Sequence, residues 1–306
     1  MEFNEDVSLD TSQVQDMRGS GGGGVGGRVA AGGGGLGIVG LIIYFLLSQF
    51  GGGTGGGVPL STDNVQRDQQ VSASDLSEQC RTGKDANTNH DCALVAVINS
   101  IQGYWTDEFA RSNVTYKEAP TNFFSGSVNT ACGGATADVG PFYCPGDGEV
   151  YIDLTFFQEL QSRFGATGGT FVEAYVLAHE YGHHVQNLLG TSNRVGRETG
   201  PTSGSVRLEL QADCYAGVWA NHATTAPTGA SGKPLIRNIS EEDIANALDA
   251  ASRIGDDFIQ ENLGGGTVDE SQFSHGSSAQ RQKWFNQGLR NGDPAQCNTF
   301  DTDNLG

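Results

Sequence analysis

Basic residues are scarce in this chain: 17 Lys and Arg stand against 36 Asp and Glu, for a formal net charge of -19. That scarcity excludes a nucleic-acid partner, because neutralising phosphates takes a cationic face and none is present. Anionic lipid headgroups are poor partners for the same reason. No CxxC spacing occurs among the six cysteines, which argues against a cysteine-ligated zinc site. There is no internal repeat. Aromatics make up 8% and hydrophobics 37%, but the leanness is local: 19 of the 46 glycines fall in the first 57 residues. The remaining chain has ordinary composition and is long enough to bury a core.

What is present divides the chain into four parts. Residues 1–28 combine Glu2, Glu5, Asp6, Asp10 and Asp16 with a glycine run, too little apolar surface to offset chain entropy, and read as a disordered tail. Val29 to Phe50 is an uncharged stretch of 22 residues with a dense apolar half from Leu36 to Leu47. Its length suits a membrane-spanning helix, and no clear cleavage site follows it, so it is expected to be an uncleaved anchor. Arg18 and Arg28 precede the span and no basic residue follows until Arg67, which places the tail in the cytoplasm and the bulk outside. Residues 51–75 read as a flexible linker, and 76–306 as the folded domain. Export agrees with an even cysteine count. Cys80/Cys92 and Cys132/Cys144 share one spacing, and pairing each locally leaves Cys214 with Cys297, one of about 15 connectivities open to six cysteines.

Within 76–306 the patterning is mostly helical, an α+β class with a small sheet. Asp91 to Ala110 has helical spacing, Asn122–Phe124 and Glu149–Leu154 read as strands, and Thr155 to Phe164 as a short helix. A longer helix is expected from a Thr170/Glu173 capping box to Gly190, another from Ser205 to His222, a third from Ser240 with Asp243, and a last one capped by Ser278.

Residues 178–186 read AHEYGHHVQ, so His179, Glu180 and His183 form H-E-x-x-H on an expected helix. Residues four apart share a helix face, and both imidazoles can aim at one ion. Glu180, one position on, can stand beside the metal and take a proton from water. His184 points off the metal face and reads as a packed or solvated side chain. A catalytic zinc site needs a third protein ligand. Glu209 in RLELQADCYAG (207–217) is the candidate, and Asp213, one turn further, could fix the tautomer of a ligand histidine. The bland reading of both acids is a solvated helix face. His90 and His222 are isolated and read as ordinary side chains. Tyr175, Tyr215, His275 and Arg281 are available to meet the oxyanion or the substrate, and the residues do not choose among them.

AHEYGHHVQNLLG, ELQADCYAGVW and SHGSSAQRQKWFNQG together resemble the bacterial neutral zinc metallopeptidases, and the resemblance covers most of the chain. It implies a gluzincin-like zincin core preceded by one transmembrane helix, one Zn2+ ion, a protein or peptide substrate and an edge strand near the cleft, for which EVYIDL (149–154) is the candidate. By the same resemblance His275 and Arg281 line the site. The expected protein is a zinc metallopeptidase held in a bacterial cell membrane by a single pass, its amino terminus cytoplasmic and its catalytic domain extracytoplasmic. The rival is a zinc-binding surface or assembly protein without catalysis, whose sign would be a replaced Glu180; Glu180 is intact.

Overall fold

The computed structural model describes residues 1–18, 76–196 and 198–306. Short strands β1 (Glu2–Phe3) and β2 (Val14–Asp16) open the chain, followed by the short helices α1 (Leu76–Gln79) and α2 (Gly83–Ala86) and the long α3 (His90–Arg111). Strands β3 (Thr121–Phe124), β4 (Ser127–Thr130), β5 (Gly133–Thr136), β6 (Phe142–Cys144) and β7 (Glu149–Asp153) come next. The rest is helical apart from β8 (Ile236–Asn238): α4 (Phe156–Ser162), α5 (Thr170–Leu188), α6 (Gly204–His222), α7 (Glu241–Arg253), α8 (Asp256–Asn262) and α9 (Ser278–Asn291). The α+β, mostly helical reading holds.

Helix α5 is the axis of the molecule. Every residue from Phe171 to Gln186 is buried, so the helix is packed on all sides, by α3, α6, α7 and the sheet. Its buried polar groups must therefore find partners inside the protein. Glu173 does so by facing His90 at 2.7 Å, and the expected Thr170 capping box does not form; Gly169 takes the N-cap position instead. At the other end Gly190, at φ 75°, is the left-handed stop that a helix followed by a glycine requires. Ser240 and Asp243 make their capping box on α7, while on α9 the box is Ser277 with Gln280 rather than Ser278.

The main sheet runs β2-β3-β7-β6, with β2, β3 and β7 parallel and β6 antiparallel. EVYIDL is thus an interior strand, and β6 is the edge, because the turn at residues 145–148 folds the chain back to place β6 outside β7. The β4–β5 hairpin is a separate ribbon, and the Cys132–Cys144 disulfide ties it to β6. Cys80–Cys92 and Cys214–Cys297 complete the expected pairing.

Two expectations about the amino-terminal part are corrected. Residues 1–18 are not a disordered tail. Phe3 and Val7 are buried in the main core, β1 pairs with β8, and β2 is a strand of the main sheet. Composition averaged over 1–28 hid the few apolar residues, Phe3, Val7 and Val14, that are buried. Among the described residues no helix is long and apolar enough to cross a membrane, so neither the transmembrane helix of the expected fold class nor the single-pass location is supported. The expected anchor at 29–50 and linker at 51–75 lie outside the described residues. The packing gives an independent reason: residues before 19 and after 75 share one core, whereas a single crossing between them would put them on opposite faces of a bilayer.

Candidate metal centre

Helices α5 and α6 meet closely where Gly182 faces Ala212; a β-carbon on Gly182 would stand 3.0 Å from Ala212 backbone atoms. This approach sets the α5 motif against the acids of α6. His179 Nε2 lies 3.2 Å from His183 Nε2 and 3.2 Å from Glu209 Oε2, and His183 Nε2 lies 3.3 Å from Glu209 Oε1. One ligand atom from each of the three residues falls within 4.8 Å of the other two. All three side chains are buried. Neither Glu209 oxygen makes a well-formed hydrogen bond and each faces an imidazole nitrogen, a costly state for a buried carboxylate unless a cation joins it.

The far nitrogens of the two rings are differently held. His179 Nδ1 donates to Asp213 Oδ1 at 2.8 Å, and Asp213 in turn accepts from the Tyr175 hydroxyl at 2.7 Å and from Arg281 Nε and Nη2 at 2.8 and 2.9 Å. His183 Nδ1 donates to Gln186 Oε1 at 2.9 Å, and Gln186 passes its own donors to the Leu208 carbonyl and Gln211. With Nδ1 spent on these partners, both Nε2 atoms are the ones presented to an ion. Gln186 was not singled out in the sequence; its signal is its place three residues after His183, one turn along the same face.

Electrostatics follow from burial set against neighbours. Burial would lower the His179 imidazolium, but Asp213 and Glu209 outweigh it and push the group up to about 10. His183 is raised by Glu209 over the same opposition. Asp213 is pulled down to about 2, burial being overcome by Arg281 and His179. Glu209 is held well below the carboxylate range by the two histidines despite its burial. Glu180 moves the other way, since burial pushes its carboxyl up. Its Oε2 accepts the Tyr143 backbone N–H at 3.0 Å, and Oε1 has no partner.

The remaining expected site residues separate. Arg281 is fully buried and spends its donors on Asp213, Tyr175 and the Ile254 carbonyl, so it braces the centre from behind. Tyr175 does likewise. Tyr215 packs edge-on against Trp105 at an apolar groove with Phe109 and Leu189. His275 is buried, with Nδ1 facing Asp256 Oδ1 at 3.2 Å and the Ser274 hydroxyl at 2.8 Å. His184 is buried and paired, as described below. His90 meets Glu173, and His222 stacks on Tyr104.

Residues 5–300 match the model of a family described as "putative neutral zinc metallopeptidase". The chain belongs to this family. It is 49% identical over 249 residues to an uncharacterized protein of Mycobacterium tuberculosis (strain ATCC 25618 / H37Rv), covering 81% of this chain and 82% of the relative. It is 41% identical over 210 residues to the uncharacterized protein YpfJ of Escherichia coli (strain K12), covering 67% and 69% respectively. No solved structure matches the chain significantly. Family and geometry agree on a zinc-type centre: two imidazole nitrogens and a carboxylate are a zinc donor set, and the orphaned Glu209 oxygens fit a cation there.

Proposed function

We propose that this protein is a zinc-dependent peptidase that hydrolyses peptide bonds with Glu180 as general base. One observation carries the reading: the three buried ligand side chains His179, His183 and Glu209 converge on one point, and the Glu209 oxygens face the two imidazoles without a well-formed hydrogen bond, while a carboxyl raised by burial stands one residue on from His179. A zinc ion held by those three residues would polarise a carbonyl and acidify a water molecule. Glu180 would accept the proton of an attacking water and return it to the leaving amine, a transfer suited to a carboxyl whose affinity for protons burial has increased.

Asp213 keeps His179 in the Nδ1–H tautomer, and Arg281 keeps Asp213 ionised in a dry surrounding. His275 is the side chain we assign to the developing oxyanion, because it is buried close enough to the centre to interact electrostatically with Glu209. An extended peptide would approach along β6, the sheet edge whose Tyr143 N–H points at Glu180.

The test is Glu180→Gln in purified protein. The variant is expected to retain zinc at the parent stoichiometry and to lose at least about 100-fold in peptide hydrolysis, the lower bound for general-base catalysis. Equal rates for variant and parent would remove the reading.

A further inference from the structure

The second histidine of the HH pair has no part in the zinc chemistry, yet it is 2% exposed and lies on the centre's helix. His184 Nε2 is 2.6 Å from the Lys117 carbonyl, which only accepts, so Nε2 carries the proton. Nδ1 of the neutral ring is then an acceptor, and it takes the Tyr143 hydroxyl proton at 3.0 Å. Asn187, three residues on, donates to the same hydroxyl at 2.9 Å. The Tyr143 ring is thus pinned to α5 by two side chains of that helix.

The backbone of the pinned residue is what touches Glu180. Tyr143 N–H donates to one oxygen of the carboxylate, and the other oxygen is buried without a partner. Strand β6, which carries it, has three residues and β7 on one side only. Where β6 stands is therefore where Glu180 is aimed. We propose that His184 is a positioning residue for the general base: by holding the Tyr143 hydroxyl it fixes β6 at the distance from which the Tyr143 N–H orients Glu180. The inference rests on the peptidase reading, and it concerns this chain's HEYGHH and the Tyr143 that precedes Cys144 by one residue.

The test uses the full chain with His184→Phe, His184→Gln and Tyr143→Phe. Phenylalanine keeps an aromatic ring without hydrogen bonds, whereas glutamine offers an acceptor to Tyr143 and a donor to Lys117. His184→Phe is expected to lower kcat about 10- to 100-fold, the range for loss of an outer partner at such a centre, with zinc content and KM unchanged. His184→Gln is expected to recover part of that loss. In zinc-free protein, hydrogen exchange at the Tyr143 amide is expected to accelerate in His184→Phe. Unchanged kcat or unchanged exchange overturns the proposal, and equal losses in the Phe and Gln variants assign His184 to packing and overturn it too. Should His184→Phe fail to fold, Tyr143→Phe leaves the backbone N–H in place and carries the same two expectations. A parent protein without zinc-dependent hydrolysis would instead strike the peptidase reading, while the exchange result still decides whether His184 controls β6.

Discussion

His179 and His183 are bound by their far nitrogens to unlike partners, an arginine-braced carboxylate and a neutral amide. The difference sets what zinc must displace. In metal-free protein the His179 imidazolium persists up to about pH 10, and His183 is raised as well. A ligand nitrogen must lose its proton to bind, so protons compete with zinc below those values, and apparent affinity rises with pH through neutrality, about tenfold per unit for each proton lost. Calorimetric titration with zinc at pH 7 in two buffers of different ionisation heat is expected to show at least about one proton released per ion; identical heats in both buffers would contradict it. The H-E-x-x-H face was legible because a spacing of four fixes two side chains on one side of a helix. Glu209 and Asp213 were legible for the same reason. Gln186 and the role of His184 were not, because a helical wheel gives the direction of a side chain and not what it meets, here a carbonyl and a hydroxyl from other elements.

Helices α5, α6 and α9 come together through residues with almost no side chain. Gly182 meets Ala212 between α5 and α6; Gly217 meets the Phe285 carbonyl, and Gly288 the Cys214 carbonyl, between α6 and α9. This near-backbone contact is what lets Arg281, one turn before Phe285, reach Asp213, one turn before Gly217. A β-carbon on Gly217 would clash with backbone, which cannot yield as a flexible side chain does. Gly217→Ala is therefore expected to cost about 1–3 kcal/mol by overpacking. It should also weaken zinc retention under mild chelation, since α9 carries the arginine that holds Asp213. Thermal denaturation and metal analysis of the same preparation check both; an unshifted transition would show that the helices have room to spare. The sequence showed these helices but not their spacing, because a glycine within a helix reads only as a weak former. The Thr170/Glu173 box failed differently: the pattern was present, but His90 outbid the helix terminus for Glu173.

At the scale of the molecule, the centre sits among elements gathered from distant parts of the chain, and covalent staples lie close to it. Cys214 neighbours Asp213, and Cys144 neighbours Tyr143. The first 18 residues belong to this body. The Asn87 side chain accepts the Phe3 N–H and donates to the Phe3 carbonyl, at 2.9 and 3.0 Å, and the ring is 2% exposed. Arg18 closes the segment with ion pairs to Asp16 and to Asp91 on the first turn of α3. The acids of this segment are not marks of disorder, since Asp10 and Asp16 are spent on a 3-10 cap and on Arg18. A composition count cannot tell a solvated charge from a paired one. If residues 1–18 are structural, Phe3→Ala leaves a cavity at the β1–β8 side of the core and is expected to destabilise the full chain by about 3–5 kcal/mol. Urea unfolding followed by tryptophan fluorescence reads this as a lower midpoint at unchanged slope. A midpoint equal to the parent's would detach the segment from the fold, and with it the reason for placing both flanks of residues 19–75 on one side of any membrane.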